Sequence, residues 1–259
     1  MASIAKLRRS QIISELNRAQ KLKVADLSSH LGVSEVSIRR DLQILEDSGL
    51  LKRVHGGAVV IQDQTGSEEL STRWYQNLEK KERIGRAAAQ LVQRGDNLII
   101  DSGTTPLQVV RHLSQELVAS GNLTIITASL PIVHEVGSHP GVHLILLGGV
   151  YLQTYDLVVG PQTIDNLKNL HADKLFLGTD GLTFTQGITT ANVLEAEVDQ
   201  AMVQASSTVI VVSDSSKIGV IGLATIMPLT RIDKLVTDSD APADFVEMLR
   251  AQGVEVILV

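Results

Sequence analysis

The sequence has no cysteine, a single tryptophan, an aromatic content of 3% and only six prolines in 259 residues. Without cysteine there is neither a disulfide framework nor a thiolate metal site, and nothing asks for an oxidising compartment. No stretch reaches the ~18 consecutive apolar residues that a membrane-spanning helix requires. The amphipathic N-terminus, MASIAKLRRSQIISELNRAQ, is broken by charges. There is no Walker A string and no dinucleotide fingerprint, so neither ATP nor NAD is expected and no cofactor is assigned. The seven histidines are scattered, and His139 and His143 straddle Pro140-Gly141 instead of sharing a helix face, so no metal site is expected either. These absences leave a cytoplasmic protein with no membrane partner as the simplest reading.

What is present is ordinary for a soluble globular chain: 44% hydrophobic and 20% charged residues, enough to build a core without covalent or metal staples. The length suits two domains, one small and one of ordinary size. The formal net charge of −6 is unevenly spread. Residues 1–60 hold ten Lys and Arg against six Asp and Glu, a balance of +4, and the rest hold thirteen against twenty-three, a balance of −10. A basic head on an acidic body fits a nucleic-acid-binding N-terminus.

Apolar residues at Leu7, Ile12, Ile13 and Leu16 recur at near-helical spacing and predict a first helix over Lys6 to Ala19. A second fits Val24 to Leu31, with Gly32 as its stop. A third fits Glu35 to Glu46, capped by Ser34 and stopped by Gly49. Leu50 to Val54 and Ala58 to Ile61 are short β-like runs around Gly56-Gly57, a dipeptide that permits the positive φ of a tight hairpin, the expected wing. Residues 1–61 thus form one expected domain, and the polar stretch 62–71, QDQTGSEELS, an expected linker. Over 72–259 a helix from Leu78 to Val92 precedes seven apolar runs: Asn97 to Ile100, Leu123 to Ile126, Val142 to Leu147, Lys174 to Leu177, Val209 to Val212, Lys234 to Thr237 and Val254 to Val259. Most are followed by Gly, Ser, Thr or Asp and then a helical pattern, which predicts an α/β domain with a mainly parallel sheet.

On the third helix Ile38, Leu42 and Leu45 fall on one side and are expected to face a small core. The opposite side then presents Val36, Arg40 and Gln43, flanked by Ser37 and Arg39. Arg reads guanine bidentately, Gln reads adenine, and an apolar Val suits a thymine methyl, so this face is the candidate for the major groove of double-stranded operator DNA. Lys52, Arg53 and His55 on the wing suit phosphates or a minor groove. By charge alone the same arginine pair would serve as a solvated face.

In the second domain Asp101-Ser102-Gly103-Thr104-Thr105 follows an apolar strand and opens a helical stretch. A helix start offers unpaired amides and partial positive charge, Gly103 allows close approach, and the hydroxyls add donors, which together outline an anion site suited to phosphate. Thr127-Ala128-Ser129, Gly148-Gly149, the segment Gly178 to Gly181 and the segment Asp214 to Lys217 each follow a strand and are expected at the same sheet edge. Lys217 would add positive charge and Asp180 would accept from sugar hydroxyls.

The run VADLSSHLGVSEVSIRRDLQILEDSGLLKRVHGGA resembles the N-terminal signature of the DeoR family of transcription regulators, with VSEVSIRRDL in the recognition helix and RVHGGA in the wing. Ser37 stands where the family commonly has Thr. DSGTT, LGG, FLGTDG, GITT and DSSK follow in the order of the DeoR sensor domain, which is similar in fold to ribose-5-phosphate isomerase. The resemblance implies a winged helix-turn-helix head, Ser34 included in its DNA-binding surface, and a sugar phosphate or related metabolite as effector. It carries over Asp101, Ser102, Gly103, Thr104, Thr105, Gly149, Asp180, Gly181, Thr190, Glu195 and Lys217 as effector contacts. Ala128, where Asn is common, and Tyr151-Leu152-Gln153, where basic residues are common, depart from the pattern. Repression of a carbohydrate operon by a homodimer or homotetramer is the implied mode of action. An isomerase-like enzyme, with Asp180, Glu195 or Glu197 as base, and a structural DNA-binding protein without ligand are the competing readings. The first makes a DNA-binding head superfluous and the second leaves the sensor loops unexplained.

Overall fold

The computed structural model describes residues 4–19, 21–48, 50–59 and 73–259. The expected linker 62–71, the stop at Gly49 and the strand end at Ile61 lie outside the described residues. The chain divides into two compact units, Met1–Glu79 and Lys80–Val259.

The first unit contains α1 (Ile4–Ala19), β1 (Lys21–Lys23), α2 (Val24–Leu31), α3 (Glu35–Asp47), β2 (Lys52–Val54) and β3 (Gly57–Val59). Its core is Ile12, Ile13 and Leu16 from α1, Leu27 from α2, and Ile38, Leu42 and Leu45 from α3, all buried. Each helix therefore contributes most of the apolar stripe that its spacing foretold, the exception being Leu7, which is half-buried and outside this core. Gly32 ends α2 at φ +64°, a left-handed conformation that glycine adopts without a Cβ clash. The expected strand from Leu50 is shorter, because Leu50 closes onto α3, its amide donating to Leu45 O at 2.9 Å, and Leu51 packs in the core. β1 was not anticipated, since three residues with one apolar side chain carry no period. It pairs antiparallel with β3 to give the order β1-β3-β2. The two wing glycines act differently: Gly56 supplies the positive φ, +76°, whereas a Cβ on Gly57 would lie 2.0 Å from Leu22 O and block the pairing with β1.

The second unit takes up α4 (Leu78–Ala89), β4 (Asn97–Ile100), α5 (Thr104–Arg111), α6 (Gln115–Ala119), β5 (Leu123–Thr127), α7 (Leu130–Val136), β6 (Val142–Leu146), β7 (Val150–Leu152), β8 (Leu157–Val159), α8 (Pro161–Leu167), β9 (Ala172–Leu177), β10 (Gly181–Thr183), β11 (Gly187–Thr190), α9 (Val193–Gln204), β12 (Ser206–Val212), β13 (Ala224–Met227), β14 (Lys234–Thr237), α10 (Ala243–Ala251) and β15 (Glu255–Leu258). Helix α4 stops three residues before the expected Val92, because the amides of 90–92 donate to the carbonyls of 87–89 three residues back and tighten the last turn. All seven expected apolar runs lie in one parallel sheet of order β15-β14-β12-β9-β4-β5-β6. The C-terminal parts of its central strands are buried, as at Leu98, Ile99, Ile100, Leu175, Phe176 and Leu177, which is why they read as continuous apolar runs instead of alternating ones. The hairpin β7–β8 and the antiparallel sheet β10-β11-β13 were not anticipated. They are three or four residues long, too short to carry a periodic signal.

The strand order fixes where a ligand collects. From β4 the chain goes outward to β5 and β6 on one side, then returns to β9 on the other. The crevice outside the carboxyl ends of β4 and β9 is therefore a topological switch point, the usual ligand position in open parallel sheets.

Candidate functional site

In the first unit Ser34 caps α3, its hydroxyl oxygen accepting from the Ser37 amide at 3.3 Å. Asp41 is buried and pairs with Arg8 of α1 at 2.5 Å, which holds the helix by its inner side. The outer side is displayed: Val36 is 72% exposed, and Arg39, Arg40 and Gln43 are exposed around it. These side chains are not equivalent. Arg39 is paired with Glu35, one helical turn back. Gln43 donates to Asp47 at 2.8 Å and accepts from Arg53 of the wing, whose amide donates to Glu46 at 2.8 Å. Arg53 thus ties wing to helix, while Arg40, Lys52 and His55 have no side-chain partner among the described residues.

In the second unit the C-terminal ends of β4 and β9 meet through one carboxyl. Asp101 accepts from the Gly178 amide at 2.9 Å and the Ser102 amide at 2.5 Å. A Cβ on Gly178 would lie 3.3 Å from Asp101, Pro106 and Ser102, so the two strand ends approach closely here. The Ser102 hydroxyl donates to Glu195 at 3.1 Å, and Thr190 donates to the other Glu195 oxygen at 2.5 Å and to Asp180 at 3.2 Å. The Ala191 amide also donates to Asp180, at 2.9 Å. Asp101, Ser102, Asp180, Thr190 and Glu195, spread over almost a hundred residues, are in this way one network.

Two members of the site escaped the reading of the sequence. Asp199 is buried and hydrogen-bonded to Asp101, and its place one helical turn beyond Glu195 on α9 was a usable signal. Asn192 caps α9, accepting from the Leu194 and Glu195 amides at 2.9 and 3.2 Å; Asn followed three residues later by Glu is a helix-start signature. Burial, and then the charge of Glu195, pushes the Asp101 carboxyl up to about 7 against the pull of its amide donors. Burial and the charges of Asp101, Glu195 and Asp180 hold Asp199 well above the carboxylate range. The shift favours the protonated form of Asp199, which would add a donor to the acceptors of the cluster.

Beside the cluster, α5 begins at Thr104 after Gly103 in a positive-φ conformation, +104°. Thr104 and Thr105 are buried, and neither hydroxyl has a partner among the described residues. Lys217 ends a short 3-10 turn, Ser215–Lys217, with no side-chain partner among the described residues. The chain just beyond it runs along β10: Ile218 bridges Leu182, the Gly219 amide donates to Leu182 O at 2.9 Å, and Gly181 lies so close to Val220 O that a Cβ would meet it at 2.3 Å. Gly181 accordingly acts through backbone packing. Gly149 is packed against Thr163 and Val159, with no bond to the carboxyl network among the described residues. Ala128 is buried beneath β8, its carbonyl accepting from the Val158 amide at 2.9 Å, and Tyr151 turns to Asp156 at 2.7 Å. No group of His, Cys, Asp or Glu suited to a metal ion occurs among the described residues, and no described helix is long and apolar enough to cross a membrane.

A winged helix with a displayed recognition face, on one chain with a parallel α/β domain bearing a polar crevice at its switch point, has the make-up of a ligand-responsive DNA-binding regulator. Residues 8–64 match the DeoR-like helix-turn-helix domain and residues 76–239 the DeoR C terminal sensor domain. The chain belongs to the DeoR family of transcriptional regulators. It is 34% identical to the HTH-type transcriptional regulator GolR of Listeria innocua, over 90% of each chain. It is 32% identical to the regulator GlpR of Haloferax volcanii over 96% of each, and 30% identical to the HTH-type transcriptional repressor GlcR of Bacillus subtilis over 95% of this chain and 93% of the other. These relatives are regulators and not enzymes, and so is this chain. Among solved structures, ribose 5-phosphate isomerase from Methanocaldococcus jannaschii covers 55% of each chain at 17% identity with a TM-score of 0.40. A probable sor operon regulator from Shigella flexneri covers 80% of this chain and 97% of its own at 15% identity with a TM-score of 0.45.

Proposed function

We propose that the protein is a cytoplasmic repressor of a carbohydrate-catabolism operon, released from its operator by a phosphorylated sugar or related metabolite. The observation that carries this reading is the pairing, at one switch point, of a helix start with two unpartnered threonine hydroxyls and a carboxyl network able to donate and accept. The first suits a phosphate and the second suits sugar hydroxyls. Thr104, Thr105 and the amides of the first turn of α5 receive the phosphate with Lys217 as counter-charge, and Asp101, Ser102, Asp180, Thr190 and Glu195 read the hydroxyls. On the head, Val36, Ser37 and Arg40 enter the major groove, and Ser34, Lys52 and His55 meet the backbone. Arg39, Gln43 and Arg53 join them once DNA displaces their internal partners. One head makes few contacts, so two are joined in a homodimer or homotetramer through the sensor domains, raising the effective concentration of the second.

The test is calorimetry with a panel of pentose and hexose phosphates on Thr105→Glu and Lys217→Ala, paired with operator titrations. Both variants are expected to lose effector binding and keep DNA binding, giving a repressor that cannot be induced. Unchanged affinity for the sugar phosphate in both variants removes the assigned site.

A further inference from the structure

Lys80 and Asp238 stand outside the proposed effector contacts, yet both hold the turn that ends at Lys217, and all the groups concerned lie in the second unit. Lys80 reaches Asp238 Oδ1 at 2.8 Å, Asp240 Oδ2 at 2.7 Å and the Ser215 hydroxyl at 2.9 Å. Asp238, just after β14, is fully buried, and four donors converge on it: the Lys80 ammonium, the Ser215 amide at 2.6 Å, the Ser215 hydroxyl at 2.9 Å and the Asp240 amide at 3.2 Å. Burial alone would raise the Asp238 carboxyl, but the Lys80 ammonium and the Ser215 donors outweigh it and hold the carboxyl below its usual range. Burial would lower Lys80, but its bonds to Asp238 and Asp240 raise it above its usual range. The pair is therefore charged on both sides at neutral pH.

The turn is held from both ends. At its start Ser215 is bound to Asp238 through amide and hydroxyl. Beyond its last residue Ile218 bridges Leu182 of β10, and the Gly219 amide donates to Leu182 O at 2.9 Å. In between, the Ser216 amide donates to Asp214 Oδ1 at 3.1 Å, the Ser216 hydroxyl bonds the same oxygen, and the Lys217 amide donates to Asp214 O at 3.1 Å. Of the three side chains of the turn, Lys217 alone has no partner among the described residues. A lysine ammonium rides on a flexible four-carbon stem, and ordering that stem on a phosphate costs entropy. A backbone already fixed at both ends keeps that cost to the side chain itself, and the Lys80–Asp238 pair supplies one of the two fixed points.

We infer that Lys80 is a positioning residue of the effector site, which through Ser215 and Asp238 fixes the turn 215–217 and so sets where the Lys217 ammonium meets the phosphate of the effector. The inference rests on the proposed effector site, and its test uses the full chain in two arms. In the first, without ligand, Lys80→Met should speed amide hydrogen exchange at 215–218 and leave the core strands at 98–100 and 175–177 unmoved, and Lys80→Arg should restore the parent pattern. Ser215→Ala keeps the Lys80–Asp238 pair, so it leaves no buried charge unpaired, and it should loosen the same amides to a smaller extent. In the second arm, calorimetry with inorganic phosphate and the panel of sugar phosphates, Lys80→Met should lower affinity about tenfold, the equivalent of one hydrogen bond to a charged group. In the Lys217→Ala background the same substitution should change affinity by a factor of about 1, because both residues act through one ammonium. A residue that only supports the fold would lower affinity in either background. Unchanged exchange in Lys80→Met and Ser215→Ala, or losses that multiply in the double variant, overturns the inference and leaves the effector site standing. If Lys217→Ala binds the phosphates as the parent does, or the parent binds none of them, the effector reading falls and the inference with it, even where exchange at 215–218 responds.

Discussion

The recognition face of α3 and the crevice between β4 and β9 use polar side chains in opposite ways. On α3 they are displayed: Arg40 and Lys52 have no side-chain partner among the described residues and Val36 is exposed, while the apolar side of the helix is consumed by a small core. In the crevice Asp101, Thr190, Glu195 and Asp199 are buried and bonded to one another. A surface that reads a long, strongly charged polymer gains from cations held out in water, since phosphate contacts supply much of the affinity. A site that reads a small neutral polyol end needs fixed, desolvated donors and acceptors, and it accepts a raised carboxyl pKa as the consequence.

This contrast yields four expectations, from the largest effect to the smallest. Leu42→Ala, which empties a fully buried position in the head, should cost about 2–5 kcal/mol and abolish DNA binding by unfolding the first unit; two-transition denaturation that leaves the sensor unit unmoved is the check. The buried carboxyls should give the sensor unit a pH dependence of opposite sign to that of a salt-bridged aspartate. An unfolded Asp101 is ionised above pH 4, whereas the folded one keeps its proton to about 7. The folded state binds the extra proton, so stability should fall by roughly 2–3 kcal/mol between pH 5 and 8, and Asp101→Asn should flatten that slope in thermal melts. Arg40→Ala should weaken specific operator binding by about 1–3 kcal/mol with the fold intact; normal gel-shift affinity would falsify the orientation assigned to α3. Ser34→Ala removes a cap and should destabilise the head by about 1 kcal/mol, a loss that Ser34→Asp should largely avoid.

The two regions also differed in how far the sequence disclosed them. Ile38, Leu42 and Leu45 on one side and Arg40 on the other follow from a period of 3.6 residues within a single helix, and Ser34 and Gly32 mark its approaches. In the sensor domain the seven apolar runs disclosed the parallel strands because strands buried on both faces read as unbroken apolar sequence. The short strands β1, β7, β8, β10, β11 and β13 did not appear, because three or four residues carry too little period to read and take their conformation from the strand beside them. Asp199 was overlooked although its spacing from Glu195 was visible, since a lone Asp within a helix resembles a solvated residue until burial is known.

The sequence by itself determined which segments are helices and parallel strands, the charge asymmetry between head and body, and the loops that follow each strand, because these depend on local period and composition. Only the tertiary structure decided that Asp101 and Asp199 are buried against each other beside Glu195, that Arg53 is spent on Gln43 and Glu46, and that Lys80 bonds Ser215 in the turn that ends at Lys217. Those outcomes depend on burial and on contacts between residues far apart in the chain, whose strength is set by the surrounding dielectric and by the partner that packing brings within reach.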